Sequence, residues 1–462
     1  MKNIRTEMFS EMEGKELFEQ AKDYAYEYSN SIRNQPVFPE KETIEGLNSF
    51  DEPLSKTGCS GEVILKQLHQ FGSPATVAQT GGRYFGFVNG NSIPAALATK
   101  WLSDFWDQNS ALYVMSPINS KLESVCENWL KELFQFPSET VAGFVSGTTM
   151  ANLVGLAAAR YRIFKNKNWD VNEKGLFGAP KIRVVLGAQA HSSVIKTLTL
   201  LGFGKENLEL VPVDSQGRMD ASQLPKLDDQ TILITQAGNV NSGAFDPFEA
   251  IFEAIEDAGT WVHVDGAFGL WAAGSEKQKH LTKGVENANS WSVDGHKTLN
   301  APYDSGIILC QDKDALFAAM QASGSYLQYS ENRDGMLYTP EMSRRARAIE
   351  LWAALKYLGK SGVGELVNGL CQRAQQFADE LSKAGFRILN EVVFNQVLVA
   401  GENAEETARI LQNIQSSGEC WCGGATWFDE PIIRISVCSW ATTEEDISRS
   451  VQAFMNARNK VY

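Results

Sequence analysis

Residues 261–269 read Trp-Val-His-Val-Asp-Gly-Ala-Phe-Gly, and residues 290–298 read Ser-Trp-Ser-Val-Asp-Gly-His-Lys-Thr. The first stretch opens as an apolar β-rich run, 261–264, and stops on Asp265, where an ionised carboxylate is costly unless a cation faces it. Capping of a following helix is the simpler use of such an aspartate. Five more short runs surround this one, at 142–145, 182–186, 208–213, 231–235 and 306–310, with helical patterns and Gly, Asp or Pro between them. Strands alternating with helices predict a mostly parallel sheet covered by helices on both faces. Ligands collect at the carboxyl ends of the strands in such sheets, which directs attention to the residues just after each run.

The rest of the chain fits around that sheet. Its 462 residues, 43% hydrophobic, suffice for one large domain with smaller additions. Apolar residues at helical spacing over 17–32, followed by Pro36 and Pro39, predict an N-terminal helical arm over 1–75. Such an arm has too small a core to stand alone, so it packs on its own large domain or on a second subunit. The large α/β domain is expected over 76–355. A helical stretch at 343–358 and β-like segments at 392–399 and 432–438 predict a small α+β domain over 356–462. Forty-two Lys and Arg against 56 Asp and Glu give a net charge of -14, which argues against nucleic acid or an anionic membrane as partner. Seven cysteines scattered from 59 to 438 form no disulfide framework, and they place the chain in a reducing compartment, the cytoplasm. The first residues lack the apolar core of a signal peptide, and no stretch is apolar for long enough to span a bilayer.

Four polar motifs follow the strand runs. Ser146-Gly147-Thr148-Thr149-Met150-Ala151-Asn152 opens an Ala-rich helix. Free N–H groups, a close backbone approach at Gly147 and two hydroxyls suit a phosphate there, although an ordinary helix cap reads the same way. It is neither a Walker loop nor a Rossmann fingerprint. His191, in Ala190-His191-Ser192-Ser193, can lie on an aromatic ring or cap a helix. Asp265 can hold a protonated pyridine nitrogen. Lys297 can form a Schiff base if its pKa is lowered, though a His-Lys pair in a polar turn is more often a solvated surface feature. No metal is expected, since the five histidines are dispersed and Cys420-Trp421-Cys422 has no second ligand pair nearby. The argument lies in the combination and its order along one sheet.

These motifs resemble those of the group II pyridoxal-phosphate-dependent amino acid decarboxylases, the aromatic amino acid and glutamate decarboxylase family, within the aminotransferase-like fold type I of PLP-dependent transferases. The resemblance extends to Pro36-Val37-Phe38-Pro39, to residues 82–87 and to Ile432-Ile433-Arg434-Ile435-Ser436-Val437. It implies pyridoxal 5'-phosphate as cofactor, with Thr148 and Thr149 on its phosphate and His191 stacked on its ring. It further implies Asp265 at the pyridine nitrogen, Ala267 packed on the ring, and Lys297 as the Schiff-base lysine with His296 beside it. Tyr326-Leu327, ahead of Arg344-Arg345, matches the family's mobile tyrosine, which returns a proton to the substrate carbon, and the polar stretch 328–335 reads as part of its lid. A homodimer with a shared active site is implied too, Tyr326 then acting on the neighbour's cofactor. The activity implied is decarboxylation of an L-amino acid to its amine. Aldehyde synthesis, carbon–carbon lysis, transamination and non-catalytic cofactor binding are the alternatives. Arg434 reads equally as a partner for a substrate carboxylate or as a structural arginine, and the role of Asp294, where some relatives carry Asn, stays open.

Overall fold

The computed structural model describes residues 3–321 and 331–460. A seven-stranded sheet forms from β1 (Val141–Val145), β2 (Arg183–Gly187), β3 (Leu208–Val211), β4 (Thr231–Gln236), β5 (Trp261–Asp265), β6 (Ser290–Asp294) and β7 (Gly306–Cys310), in the order β1-β7-β6-β5-β4-β2-β3. Only β7 runs against its neighbours. The carboxyl ends of the six other strands therefore share one edge of the sheet. The central strands are buried along their whole length, as strands covered on both faces are. Side chains alternate between the two faces: Ile307 and Leu309 enter one core with Phe144, Trp271 and Trp291, and Ile308 enters the other with Val154, Ile232 and Ile234.

β6 is the strand that the sequence hid. It was absent from the expected runs, yet Ser290, Ser292 and Asp294 lie fully inside the sheet and Lys297 stands in the turn that begins directly after them. Their polarity is satisfied by particular neighbours: Trp261 Nε1 donates to Ser290 Oγ at 3.0 Å, and Asp294 meets Lys297.

A second sheet holds β8 (Arg387–Ile388), β9 (Gln396–Ala400), β10 (Gly423–Trp427) and β11 (Glu430–Ser436), antiparallel in the order β10-β11-β9-β8. Its own core contains Phe377, Val397, Ile433, Ile435 and Phe454. The helix expected from residue 343 starts instead at Ala348 and runs to Lys383, broken at Gly359, whose φ of 60° is left-handed. Residues 343–347 cannot be helical because their backbone serves other partners: Arg344 O accepts from Ser110 N, and Arg345 bridges to Asn109. The N-terminal segment forms helices Ile4–Glu13 and Glu16–Ser31. Among the described residues no helix is long and apolar enough to cross a membrane.

Residues 333–335 differ from the solvated lid that their polarity suggested, whereas Glu331 and Asn332 are exposed as expected. Asp334, Gly335 and the side chain of Arg333 are buried, with Arg333 bound to Glu123 at 2.8 Å and to Glu127 at 2.7 Å, and Tyr113 N donating to Asp334 at 2.7 Å. Tyr326 and residues 328–330 lie outside the described residues.

Candidate active site

β7 enters the sheet between β1 and β6, and its first residue, Gly306, pairs with Val145 on one side and Asp294 on the other. That register brings the start of helix Thr148–Asn166 beside the His296-Lys297 turn. The approach is close: a β-carbon on Gly306 would fall 2.4 Å from Gly147 Cα, so only glycine fits.

Helix Thr148–Asn166 begins without a side-chain cap on its first N–H groups. Thr148 is buried and its Oγ1 has no hydrogen-bond partner, whereas Thr149 is exposed. An uncapped helix start beside an orphaned hydroxyl suits an anion. His191 caps helix Ser192–Leu200: its Nδ1 accepts from Ser193 N at 3.2 Å and lies 2.7 Å from Ser193 Oγ. The neutral ring therefore carries its proton on Nε2. Burial lowers the His191 pKa, opposed by Asp265 and Asp294 and reinforced by Lys297 and Arg434. All four charges thus act on one imidazole. The structure brings His191, Asp265 and Lys297 to one place, and the capping role open to His191 exists alongside.

Asp265 closes β5, 5% exposed, and its Oδ1 accepts from Ala267 N at 3.2 Å. Ala267 O in turn accepts from Asp294 N, so Ala267 sits between the ends of β5 and β6. Lys297 Nζ is 3.2 Å from Asp294 Oδ2. His296 is buried, takes a hydrogen bond from Ser305 N at 3.0 Å on Nδ1, and stacks on Tyr303 with ring centroids 4.3 Å apart. Burial lowers its pKa although Asp294 works the other way.

Sequence reasoning missed the residue that fixes the lysine turn. Asn300, fully buried in a left-handed conformation, donates to the carbonyls of Lys297, Thr298 and Cys438 at 3.1, 2.9 and 2.9 Å. Its Oδ1 accepts from Asn91 N and Trp440 N. The only cue in the sequence was an asparagine three residues beyond the lysine. Arg434, on β11, has a buried Nε without a partner among the described residues, and burial lowers its pKa while Tyr84 works the other way. Tyr84 and Phe87 stack on Trp421 at 5.3 and 5.5 Å.

His263 ties the site together from below. Its Nε2 meets Asn152 Oδ1 at 2.9 Å and its Nδ1 meets Ser290 Oγ at 2.8 Å, joining the phosphate-site helix to β5 and β6. Burial depresses its pKa from 6.5 to about 3. The unfolded chain therefore takes up a proton that the folded one refuses, so stability present above pH 6.5 is lost progressively down to about pH 3, by a few kcal/mol at most. His263→Gln keeps a donor and an acceptor without that proton. Its melting temperature is expected to fall less steeply between pH 6.5 and 4 than the unsubstituted chain's, and equal slopes would refute the assignment.

These residues fit pyridoxal phosphate: an uncapped helix start with an orphaned hydroxyl for the phosphate, a buried carboxylate at a strand end, an imidazole and a lysine. Among the described residues no three side chains converge as a metal site. The comparisons agree. The chain is 27% identical over 388 residues to an aromatic-L-amino-acid decarboxylase of Bacillus atrophaeus, covering 80% of this chain and 78% of that one. It is 29% identical over 365 residues to the acidic amino acid decarboxylase GADL1 of Mus musculus, covering 75% of this chain and 65% of that one. The fold superposes on the crystal structure of Oryza sativa TDC with PLP and tryptamine at a TM-score of 0.88, with 19% identity, over 96% of this chain and 97% of the other. The family model for the pyridoxal-dependent decarboxylase conserved domain matches residues 56–400, three quarters of the sequence, and the chain belongs to that family.

Proposed function

We propose that this chain uses pyridoxal phosphate to decarboxylate an L-amino acid, releasing the amine and carbon dioxide. The convergence at one sheet edge carries the reading: Lys297, Asp265 and the helix start at Thr148 come from three distant segments, and Asp265 and Lys297 both act electrostatically on His191. The cofactor, when bound, supplies an electron sink for the pair left on Cα as carbon dioxide departs. Thr148, Thr149 and the free N–H groups of the first turn hold the phosphate. Asp265 would hold the pyridine nitrogen protonated, Ala267 and His191 would pack against the ring, and His296 supports the Lys297 turn. Lys297 would hold the cofactor through its side-chain amine. His191, neutral at pH 7 with its proton on Nε2, is a far weaker acid than an imidazolium, which favours Tyr326 as the group that returns the proton to Cα. Arg434, charged and beside Tyr84, suits a substrate carboxylate.

The test is incubation of the full chain and pyridoxal phosphate with a panel of L-amino acids, products being identified by mass spectrometry. An amine with loss of carbon dioxide, absent in Lys297→Gln, supports the reading and names the substrate. Aldehyde, keto acid or carbon–carbon cleavage products keep the cofactor and overturn the reaction.

We divide the chain into three parts, 1–75, 76–355 and 356–462, a reading supported by a second core around Phe377, Ile433 and Phe454. We place it in the cytoplasm, a reading supported by its unpaired cysteines. Two copies associate in this proposal, because Ile4, Met8, Phe9 and Met12 stand exposed on the arm and Trp101, Leu102 and Phe105 on the helix Pro94–Trp106. Sedimentation at micromolar concentration is expected to give a dimer, and a monomer there would sink the association.

A further inference from the structure

We propose that Asp294 sets how tightly the chain holds its cofactor by competing against it, pairing with Lys297 in the cofactor-free chain and opposing the phosphate charge in the loaded one. The inference rests on the pyridoxal phosphate reading above. Asp294 ends β6 and is 2% exposed. Its two oxygens have different fates. Oδ2 lies 3.2 Å from Lys297 Nζ and 3.5 Å from His296 Nε2. Oδ1 is buried and has no hydrogen-bond partner. On that side stands Gly147, where a β-carbon would come 3.6 Å from Oδ1 and 3.3 Å from His296 Cε1.

One oxygen thus holds the amine, and the other abuts the backbone from which helix Thr148–Asn166 departs. That helix start attracts an anion through its uncapped N–H groups. A buried carboxylate already stands beside it, so a phosphate with close to two negative charges must share the field with a like charge. On the other side, linkage to the cofactor requires the free amine. The Lys297 ammonium first gives a proton to solvent. Its nitrogen then attacks the aldehyde carbon, and the aldehyde oxygen leaves as water with both remaining amine protons. The contact at 3.2 Å between Nζ and Asp294 Oδ2 must break before that nitrogen can reach the aldehyde. Asparagine has the same shape, still accepts from Lys297 and His296, and carries no charge.

The experiment titrates the cofactor-free full chain with pyridoxal phosphate and, separately, with pyridoxal, following tryptophan fluorescence and the rate of release on dilution. Asp294→Asn is the main variant, and Asp294→Ser is a smaller neutral one that guards against misfolding in the first. Both are expected to bind pyridoxal phosphate about tenfold more tightly than the parent chain and to release it more slowly, with a smaller gain for pyridoxal, which lacks the phosphate. Equal or weaker binding of pyridoxal phosphate by both variants overturns the proposal. An equal gain for the two ligands overturns its phosphate half. Failure of the unsubstituted chain to bind pyridoxal phosphate at all sinks the cofactor reading itself, a result distinguishable from the others.

Discussion

Replacing Lys297 with glutamine is expected to lower turnover on the order of 10⁴-fold while leaving the fold and a weakened cofactor affinity in place. The substitution suits the site because an amide still donates to Asp294 Oδ2, the partner that stands 3.2 Å from the lysine amine. An alanine would take away that donor as well as the charge, and a larger stability loss would then obscure the catalytic one. The phosphate end of the site and Asp265 are untouched, so the cofactor is expected to bind reversibly and wash out on dialysis, without the visible absorption of a lysine-linked pyridoxal. Turnover within tenfold of the parent chain would remove Lys297 from its assigned role. Loss of turnover with the linked absorption retained would point to another lysine.

Glu123→Gln is expected to cost about 3–5 kcal/mol of stability, among the largest effects open to a single conservative change here. Glu123 is 1% exposed and receives hydrogen bonds from Arg344 at 2.7 Å, Arg333 at 2.8 Å and Asn119 at 3.0 Å. Burial alone would push its pKa up, yet Arg344 and Arg333 together hold it below the ordinary value. Glutamine keeps the shape and removes the charge, which leaves the Arg344 guanidinium, 1% exposed, with neutral acceptors, the amide oxygen and the carbonyls of Phe144 and Ser110. Glu127 still serves Arg333. Thermal denaturation is expected to show a drop on the order of 10 °C. A change under about 1 kcal/mol would mean that water or carbonyl oxygens compensate Arg344 fully. The linked acid sensitivity has a definite sign. A depressed carboxylate pKa contributes stability above its unfolded value that disappears as pH falls through the folded one, and the glutamine chain lacks that part of the loss.

The site was legible in the sequence wherever a motif lay just past an apolar run. Asp265 ends β5 and Thr148 stands three residues past β1, and both strands open as continuous apolar runs, so the run and its end could both be read. Lys297 was legible as a residue near a strand end, but the strand before it was not. β6 alternates Ser, Trp, Ser, Val and Asp, and polar residues on a doubly covered strand look like a turn until their partners are known. Those partners, Trp261 and His263 for Ser290, come from another strand. Residues 333–335 failed for the same reason in reverse, since Arg333 looks solvated until Glu123 and Glu127 close around it. Asn300 acts through backbone carbonyls, which leave no trace in a side-chain pattern.

The insertion of β7 between β1 and β6 also bears on how the protein comes into being. β1 can take its place at the sheet edge only after residues 306–310 exist, because β7 alone joins it to the rest. Pairings this distant along the chain form slowly, since a long loop must close before any contact rewards it. Until then the apolar residues of β1 have no strand neighbour, and the newly made chain is exposed to aggregation. Arg434 follows later still on the ribosome. The binding place for the cofactor therefore completes among the last events of synthesis and folding, and supply of pyridoxal phosphate at that moment is expected to raise the yield of native protein by drawing the final closure forward.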